Sequence, residues 1–383
     1  KKALSAILDG QITTFIAALV LMILGSGTVK GFAYTLMISI ILSMFTALVV
    51  AKYFMRALFA IGVKNEKFYG RAKERKPIRF IKNRVIYFAI SIIVIAVGIG
   101  SMIVNSASGK KALNYSLEFM GGTSTTVDMG KAYTLDELEK DVVPVIAKAI
   151  NMSESEIQPT TVSGTNNIVL KTSLLSLEQS KSLEKVLSEK FGVEQKDIQS
   201  QGISSTISGE MRRDAIVAVI VACIFMLIYI RFRFKDLRFA TSAIIALAHD
   251  VLVVLTAYAL IRISVGGTFI ACMLTIVGYS VNDTIVIFDR IRENMRGVRK
   301  ITKENLAEIA DRSLTQTLSR SINTSITTFI MVLLLYILGV ASIREFALPL
   351  MVGLVSGSYS SIFIATELWY IMKLHLGKDK ITE

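Results

Sequence analysis

The chain has 383 residues, 52% of them hydrophobic, with a mean hydropathy of +0.56. This composition is too apolar for a soluble protein of that length, so it predicts a polytopic α-helical membrane protein and argues against a soluble enzyme. The formal net charge of +13 could indicate nucleic-acid binding. Because the Lys and Arg residues are concentrated in loops between apolar segments, as the positive-inside rule describes, we expect no nucleic-acid partner.

Eight apolar segments are predicted to cross the membrane, because most approach the ~20 residues that a spanning helix needs. They are residues 11–25, 29–51, 85–104, 214–230, 239–261, 268–288, 324–340 and 346–372. Residues 52–84 carry eleven Lys/Arg against two acids and are expected in the cytoplasm. Residues 106–210 hold ten Lys, no Arg and fourteen acids, and are expected outside it.

The same pattern divides the chain into six expected parts. These are a first pair of transmembrane helices, a basic cytoplasmic linker, a single transmembrane helix, an extracytoplasmic α+β domain, a five-helix transmembrane region and a cytoplasmic tail. In that order they occupy residues 1–60, 61–84, 85–104, 105–213, 214–372 and 373–383.

An internal repeat relates the beginning of the chain to its end. Residues 12–47 align without gaps to residues 326–361, with 14 identities in 36 positions. The motif Ile12-Thr-Thr-Phe-Ile16 recurs as Ile326-Thr-Thr-Phe-Ile330. Such repeats are typical of transporters, although two ordinary apolar hairpins are an alternative. The second copy is preceded by further spans, so we expect residues 1–60 to be the end of a first half whose front is not in this sequence.

The segment 105–213 alternates between strand and helix patterns. Two capping boxes, Thr134 to Glu137 and Ser176 to Gln179, are predicted to open helices that end near Ile150 and Phe191. Strands are predicted at 123–129, 157–162, 168–172 and 197–204, with a hairpin turn at 163–167. The resulting order β-α-β-β-α-β is that of a ferredoxin-like domain. It shows no nucleophile–base pair and no metal-ligand cluster, so we expect a binding or mechanical domain.

Asp250 is the sharpest candidate for function. It lies eleven residues from each end of the apolar segment 239–261, near the expected bilayer midplane, with His249 beside it. A charged acid at that depth costs roughly 2.5–3.5 kcal/mol even on mild scales, so its carboxyl must be compensated or must carry a proton. We therefore predict proton coupling at Asp250, with His249 as a candidate relay. The alternatives are a structural hydrogen bond for Asp250 and simple packing for His249.

The next span carries a second candidate group. Tyr279, Asp283, Val286 and Arg290 fall on one helical stripe. This stripe could face the helix of Asp250, with Arg290 or Arg292 as a countercharge from the cytoplasmic end. Alternatively, Asp289, Arg290 and Arg292 would form a solvated helix end. Gly278 and Asn282 are expected to serve close helix packing. The chain's few histidines and cysteines predict no metal site, no disulfide and no cofactor.

Three motifs carry a resemblance to a known family. The segment Gly278-Tyr-Ser-Val-Asn-Asp-Thr-Ile-Val-Ile-Phe-Asp-Arg-Ile-Arg-Glu-Asn294 resembles the signature of SecF, in the SecD/SecF family of protein-export membrane proteins. Ala246-Leu-Ala-His-Asp250 resembles the acidic motif of the preceding SecF span, and Phe119-Met-Gly-Gly-Thr123 the start of the family's extracytoplasmic domain. Residues 1–60 resemble the last two spans of SecD, so the chain is similar to the C-terminal part of a fused SecDF.

The resemblance implies a member of the resistance–nodulation–division superfamily of proton-driven membrane proteins. It implies a multi-pass protein of the bacterial cytoplasmic membrane that helps the Sec translocon to complete the export of secreted proteins. The implied partners are the translocon channel and its accessory subunits, a SecD-like half with the missing helices, translocating preproteins, protons and lipids. Asp250 matches the family's intramembrane acid, and Arg290 is the candidate for an intramembrane arginine.

Two other functions remain open at this level. A transporter of the same superfamily could move small molecules or lipids, although the single external domain of about 105 residues is small for an efflux pump. A passive scaffold could dock on the translocon without proton coupling, and Asp250 would then be structural. Fold analogy alone does not choose between them.

Overall fold

The architecture described here is that of a computed structural model, which describes residues 2–25, 27–65, 76–108, 111–162, 165–234, 236–296, 298 and 302–375. Parts of the expected linker, hairpin turn and tail lie outside these residues, at 66–75, 163–164 and 376–383. The described chain forms two compact units. One comprises Lys1–Asn114 with Ala215–Glu383, and the other comprises Tyr115–Asp214.

The first unit is a bundle of long helices. Its helices before the second unit are α1 (Lys2–Leu24), α2 (Gly27–Phe45), a π-helical turn (Thr46–Val50), α3 (Ala51–Ile61), a 3₁₀ turn (Ile81–Asn83) and α4 (Arg84–Ala107). Two short strands belong to the connections, β1 (Asn114–Tyr115) and β6 (Ser264–Val265).

The rest of the bundle consists of α10 (Leu237–Ile261), α11 (Gly267–Met295), α12 (Lys303–Leu338), α13 (Ala341–Ser360), a second π-helical turn (Ser361–Ala365) and α14 (Thr366–His375). The helix α9 (Ser205–Phe234) leads into it. Seven described helices are long and apolar enough to cross a membrane, and the apolar part of α1, Gly10–Leu24, is shorter. The predicted polytopic helical architecture is confirmed, with a first span that is shorter than the others.

Helix α11 lies at the centre of the bundle, in contact with α1, α10, α12 and α13. Its small residues allow this close packing. A Cβ atom added at Gly278 would lie 2.9 Å from Thr14 Oγ1 of α1. One added at Gly357 of α13 would lie 3.1 Å from Ser280 Cβ of α11. The packing role expected for Gly278 is therefore confirmed, and Asn282 likewise lies against Gly10 of α1.

The two repeat copies fold alike at their turns. The backbone N–H of Gly25 donates to the carbonyl of Leu21 over 2.8 Å, and that of Gly339 donates to Leu335 over 2.9 Å. A π-helical turn follows in each copy, at Thr46–Val50 and at Ser361–Ala365. The equivalent rings Phe32 and Phe346 pack against each other, with centroids 5.6 Å apart.

The second unit has the predicted β-α-β-β-α-β order. Its elements are α5 (Leu117–Met120), β2 (Gly122–Asp128), α6 (Leu135–Glu137) with a π-helical turn (Leu138–Val142), α7 (Val143–Ile150), a 3₁₀ turn (Glu154–Glu156), β3 (Gln158–Thr161), β4 (Asn167–Thr172), α8 (Leu177–Phe191), a 3₁₀ turn (Gln195–Asp197) and β5 (Ile198–Ile203).

The sheet of this unit is antiparallel, in the order β3-β4-β2-β5 that a ferredoxin-like fold has. In register, Thr125 of β2 lies between Leu170 of β4 and Ser200 of β5. The core consists of apolar residues from β2, β4, α7 and α8, among them Val127 and Ile146.

Both predicted capping boxes of this unit are present. In the first, the backbone N–H and the hydroxyl of Thr134 donate to the Glu137 carboxylate and lower the pKa of that side chain. The second joins Ser176 and Gln179 in the same way, with the Gln179 side chain accepting from the Ser176 N–H over 3.0 Å. These local signals begin the two helices where the sequence indicates.

Candidate functional site

Asp250 lies on α10 inside the helical bundle and is completely buried. Three serine hydroxyls donate to its carboxylate. Ser356 donates to Oδ1 over 2.6 Å, while Ser280 and Ser360 each donate to Oδ2 over 2.7 Å. Hydrogen bonds from three donors offset much of the cost of burying a negative charge, since a charged group gains about 1.5–3 kcal/mol from each one. We call Ser280, Ser356 and Ser360 the serine cage.

Together with Asp250 of α10, the serine cage connects three helices at one point. Ser280 belongs to α11, and Ser356 and Ser360 follow each other at i and i+4 on α13. Gly357 lets α13 approach the backbone of α11 at this level. The carboxylate of α10 therefore holds α11 and α13 together through charge-assisted hydrogen bonds, and its charge contributes to how tightly they pack.

His249 connects Asp250 to a fourth helix. Its Nδ1 lies 3.2 Å from Asp250 Oδ1, and its Nε2 lies 2.9 Å from the hydroxyl of Ser91 on α4. The ring is nearly buried and packs against Tyr359, with centroids 6.0 Å apart. The structure thus brings together two of the predicted site residues, Asp250 and His249, in a geometry that permits proton exchange between neighbouring groups.

A largely apolar cavity of about 530 Å³ reaches this group from the side of α4 and α12. Polar side chains appear on only part of its wall, where Ser91, His249, Ser356 and Tyr359 face it among residues such as Val253 and Leu333. His249 and Ser356 therefore each line the cavity and contact Asp250.

Asp283 is buried on α11, and its Oδ2 atom has no hydrogen-bond partner among the described residues. The cation that acts on it electrostatically is Arg320 of α12. Tyr279, one turn before Asp283, donates to Ser325 of the same helix over 3.2 Å. The stripe that carries Tyr279 and Asp283 therefore faces α12.

This orientation corrects the expectation that the stripe faces α10. Consecutive residues of a helix point about 100° apart, so the residue after Tyr279 faces a different neighbour. That residue is Ser280, which contacts Asp250. The sequence pattern identified the helix but not the face that meets the acid.

Arg290 lies away from the buried acids in the structure. Its side chain is 40% exposed and pairs with Glu293 over 2.9 Å. The neighbouring Asp289 pairs with Arg292 and with Arg233 of α9, each over 2.9 Å. This arrangement matches the alternative expectation, in which Asp289, Arg290 and Arg292 form a solvated helix end. A coupling role for Arg290 stays a prediction. Arg320, which the sequence did not single out, is the better placed cation.

The serine cage was also missed, because serine is common in apolar helices and gives no signal by itself. The repeat holds a signal that could have found it. Ser356 and Ser360 align with Leu42 and Thr46 of the first copy. Ser360 and Thr46 both carry a hydroxyl, whereas Ser356 stands one turn earlier at a position where the first copy has an apolar residue. This difference between the two copies marks the face that meets Asp250.

Comparison with protein families matches residues 182–375 to the family "Protein export membrane protein SecD/SecF, C-terminal". The protein translocase subunit SecF of Acidaminococcus fermentans is 32% identical over 305 residues, which cover 79% of this chain and 100% of that protein. This chain belongs to the SecD/SecF family. Together with the seven apolar helices found among the described residues, this membership makes it a membrane protein of the bacterial cell membrane.

Longer relatives match almost the whole chain. The protein translocase subunit SecDF of Bacillus subtilis is 32% identical over 402 residues, covering 99% of this chain and 52% of the relative. The crystal structure of SecDF from Thermus thermophilus, described as a translocon-associated membrane protein, has a TM-score of 0.82 at 32% identity and covers 97% of this chain and 48% of that one. The chain thus spans about half the length of the SecDF relatives that it matches.

Proposed function

We propose that this chain is the SecF-containing part of an accessory component of protein export, which uses a transmembrane proton gradient to help complete the translocation of secreted proteins. The observation that carries the proposal is the buried Asp250 carboxylate in its serine cage. The names of the relatives, protein translocase subunits SecDF and SecF, support the assignment to export.

Proton binding at Asp250 would act through the serine cage. In the described state each carboxylate oxygen of Asp250 accepts a hydrogen bond from at least one serine of the cage. A proton on Asp250 removes the charge and turns one oxygen into an O–H donor, so that the hydrogen bonds from the serines are no longer strengthened by a charge. The contact of α10 with α11 and α13 is then weakened, and release of the proton restores it. Repeated cycles would move the helices that lead to the external domain.

His249, Asp283 and Arg320 have supporting roles in this proposal. His249 relays protons between the cavity and Asp250. Asp283 interacts electrostatically with Arg320 on the face of α11 that is turned toward α12, and this interaction would change when α11 moves. Their proposed role is one of coupling, with no catalysed chemical step and no cofactor.

The proposed partners follow from the family. They are the Sec translocon and its accessory subunits, a SecD-like half that supplies further helices, preproteins in transit, protons and membrane lipids. In the proposed orientation the basic ends of α9 and α11 face the cytoplasm. The unit Tyr115–Asp214 then lies outside, where it can contact an emerging preprotein.

The test compares Asp250→Asn with the unchanged protein, assembled with its SecD-like half in its own membrane. We expect the substitution to remove the gradient-dependent part of preprotein translocation and to leave the part that persists after the gradient is collapsed. Glu308→Gln, at an exposed acid of α12, is the matched control and should keep both parts. Unchanged gradient dependence in Asp250→Asn, at normal expression and assembly, would establish a passive scaffold instead.

A further inference from the structure

Glu367 is a buried acid that the mechanism above does not use. It lies on α14, its side chain is completely buried, and neither carboxylate oxygen has a hydrogen-bond partner among the described residues. An ionised carboxylate in such a place is costly because no other described residue donates a hydrogen bond to it. A carboxyl group that carries a proton avoids that cost, so the surroundings of Glu367 suit proton binding.

The charged and titratable groups around Glu367 come from three neighbouring helical segments. Arg84 at the beginning of α4, Asp311 on α12 and Tyr359 on α13 interact with it electrostatically. Arg84 attracts a negative charge and Asp311 repels it. The hydrogen bonds of Arg84 and Asp311 go to groups other than Glu367. Arg84 donates to the carbonyl of Ile81 over 3.0 Å and lies over the ring of Tyr370, while Asp311 accepts from the N–H of Ile81 over 3.0 Å.

Glu367 is placed between Asp250 and one end of the bundle. It follows Ser360 of the serine cage by seven residues, which corresponds to about 10 Å along a helix. Two residues further on, Trp369 stacks on Phe239 at the beginning of α10, with centroids 5.2 Å apart. The Glu367 carboxyl therefore lies inside the bundle, between Asp250 and the end where α10 begins. It is nearer to that end than Asp250 is.

Hydroxyl groups occupy the helix between the two acids. Ser361 and Thr366 are both completely buried, and the Ser361 hydroxyl lies 2.9 Å from that of Thr284 on α11. The same stretch forms the π-helical turn Ser361–Ala365, a rare conformation that is frequent at functional sites. The turn changes the direction of the residues that follow it, and Glu367 is the second of these.

We infer that Glu367 is a second proton-binding group, which takes up or releases the proton that passes between Asp250 and the end of the bundle where α10 begins. In each transfer one O–H bond of Glu367 forms or breaks while the proton leaves or joins the neighbouring carrier. Carriers toward the bundle end are water and Asp311. This inference rests on the proposed proton coupling at Asp250 for its direction, but the proton on Glu367 can be observed by itself.

The experiment uses the protein assembled with its SecD-like half in lipid vesicles. Infrared difference spectra recorded against pH report the carbonyl stretch of a protonated carboxylic acid, and a pH-sensitive dye inside the vesicles reports proton flux. The variants are Glu367→Gln, Glu367→Asp and the exposed control Glu308→Gln. Asp250→Asn is measured in parallel.

We expect Glu367→Gln to lose one protonated-carboxyl band and to reduce proton flux by about 100-fold, the size of effect that a positioned proton-transfer group has. Glu367→Asp should retain a band and recover part of the flux, which separates loss of the acid from loss of folding. Glu308→Gln should match the unchanged protein in both measurements.

A spectrum of Glu367→Gln with every protonated-carboxyl band intact overturns the inference, because Glu367 then holds no proton. Unchanged flux in Glu367→Gln overturns it as well, because the proton then takes another route. The proposed function is judged separately. If Asp250→Asn conducts protons normally, that proposal fails, whereas failure of Glu367 alone leaves Asp250→Asn inactive.

Discussion

The two copies of the internal repeat share a backbone but not a chemical role. Each copy has a glycine at its turn and a π-helical turn in its second helix. In the first copy, the positions that correspond to Ser356 and Ser360 hold Leu42 and Thr46, which are exposed. In the second copy the two serines are buried against Asp250. The two copies thus share backbone features, and a few side chains place the candidate site in the second copy.

The two copies therefore differ in how much their polar side chains contribute to stability. The second copy packs α13 against α10, α11 and α12, and its polar contacts with Asp250 are buried. Hydrogen bonds to a charge in such surroundings are worth more than those at a surface, and removing one partner leaves the other unsatisfied. The first copy can lose a hydroxyl at little cost, because an exposed position offers no buried charge.

The largest expected effect follows from removing the serine cage from α13. Ser356→Ala with Ser360→Ala leaves Asp250 with one serine donor, and we expect gradient-dependent translocation to fall at least tenfold, since each such bond is worth about 1.5–3 kcal/mol. The matched control is Leu42→Ala with Thr46→Ala at the equivalent positions of the first copy. Equal losses in the two double variants would show that the copies do not differ in the way described.

A smaller effect is expected from closing the gap between α13 and α11. In Gly357→Ala the added methyl would lie 3.1 Å from Ser280 Cβ, and overpacking of this kind costs about 1–3 kcal/mol. Gly31→Ala in the first copy has open space and should gain up to about 1 kcal/mol of helix propensity. Thermal unfolding of the detergent-solubilised protein measures both. A Gly357→Ala protein as stable as Gly31→Ala would contradict the tight contact.

The smallest effect concerns the contact between the copies themselves. Phe32 and Phe346 occupy equivalent positions and pack together. A double-mutant cycle with Phe32→Leu and Phe346→Leu should give a coupling energy of about 0.5–1.5 kcal/mol in thermal unfolding. A second cycle, pairing Phe32→Leu with Phe363→Leu, serves as the control, because Phe363 contacts Phe80, Tyr87 and Tyr359 instead. Additive effects in the first cycle would mean that the rings do not interact.

Much of the fold could be predicted because its signals are local. Apolar length indicated the spans, and the capping boxes at Thr134 and Ser176 began their helices as expected. The order of strands and helices in the second unit followed from alternation and turn residues. The first span was expected at 11–25, whereas α1 begins at Lys2, because a helix continues through polar residues once it has formed.

The site was predicted only in part. Asp250 was found because an acid in an apolar segment is conspicuous, and His249 because it is adjacent. Arg290 was chosen as the countercharge because it shares a stripe with Asp283, but Arg320 on another helix is the cation that acts on this acid. Spacing along one helix contains no information about which residue of a second helix lies opposite.

By itself, the sequence determined that this is a polytopic membrane protein with an α+β domain, an internal repeat and an acid deep within a span. Hydropathy and periodicity are sufficient for these features, because they act within one segment. The tertiary structure decided which side chains meet: the serines of α11 and α13 at Asp250, and Ser91 at His249. It also left Glu367 without a donor from any other residue in the part of the chain that the structure describes. These contacts depend on how each helix is rotated and how closely it packs, and residues up to 158 positions apart set them together.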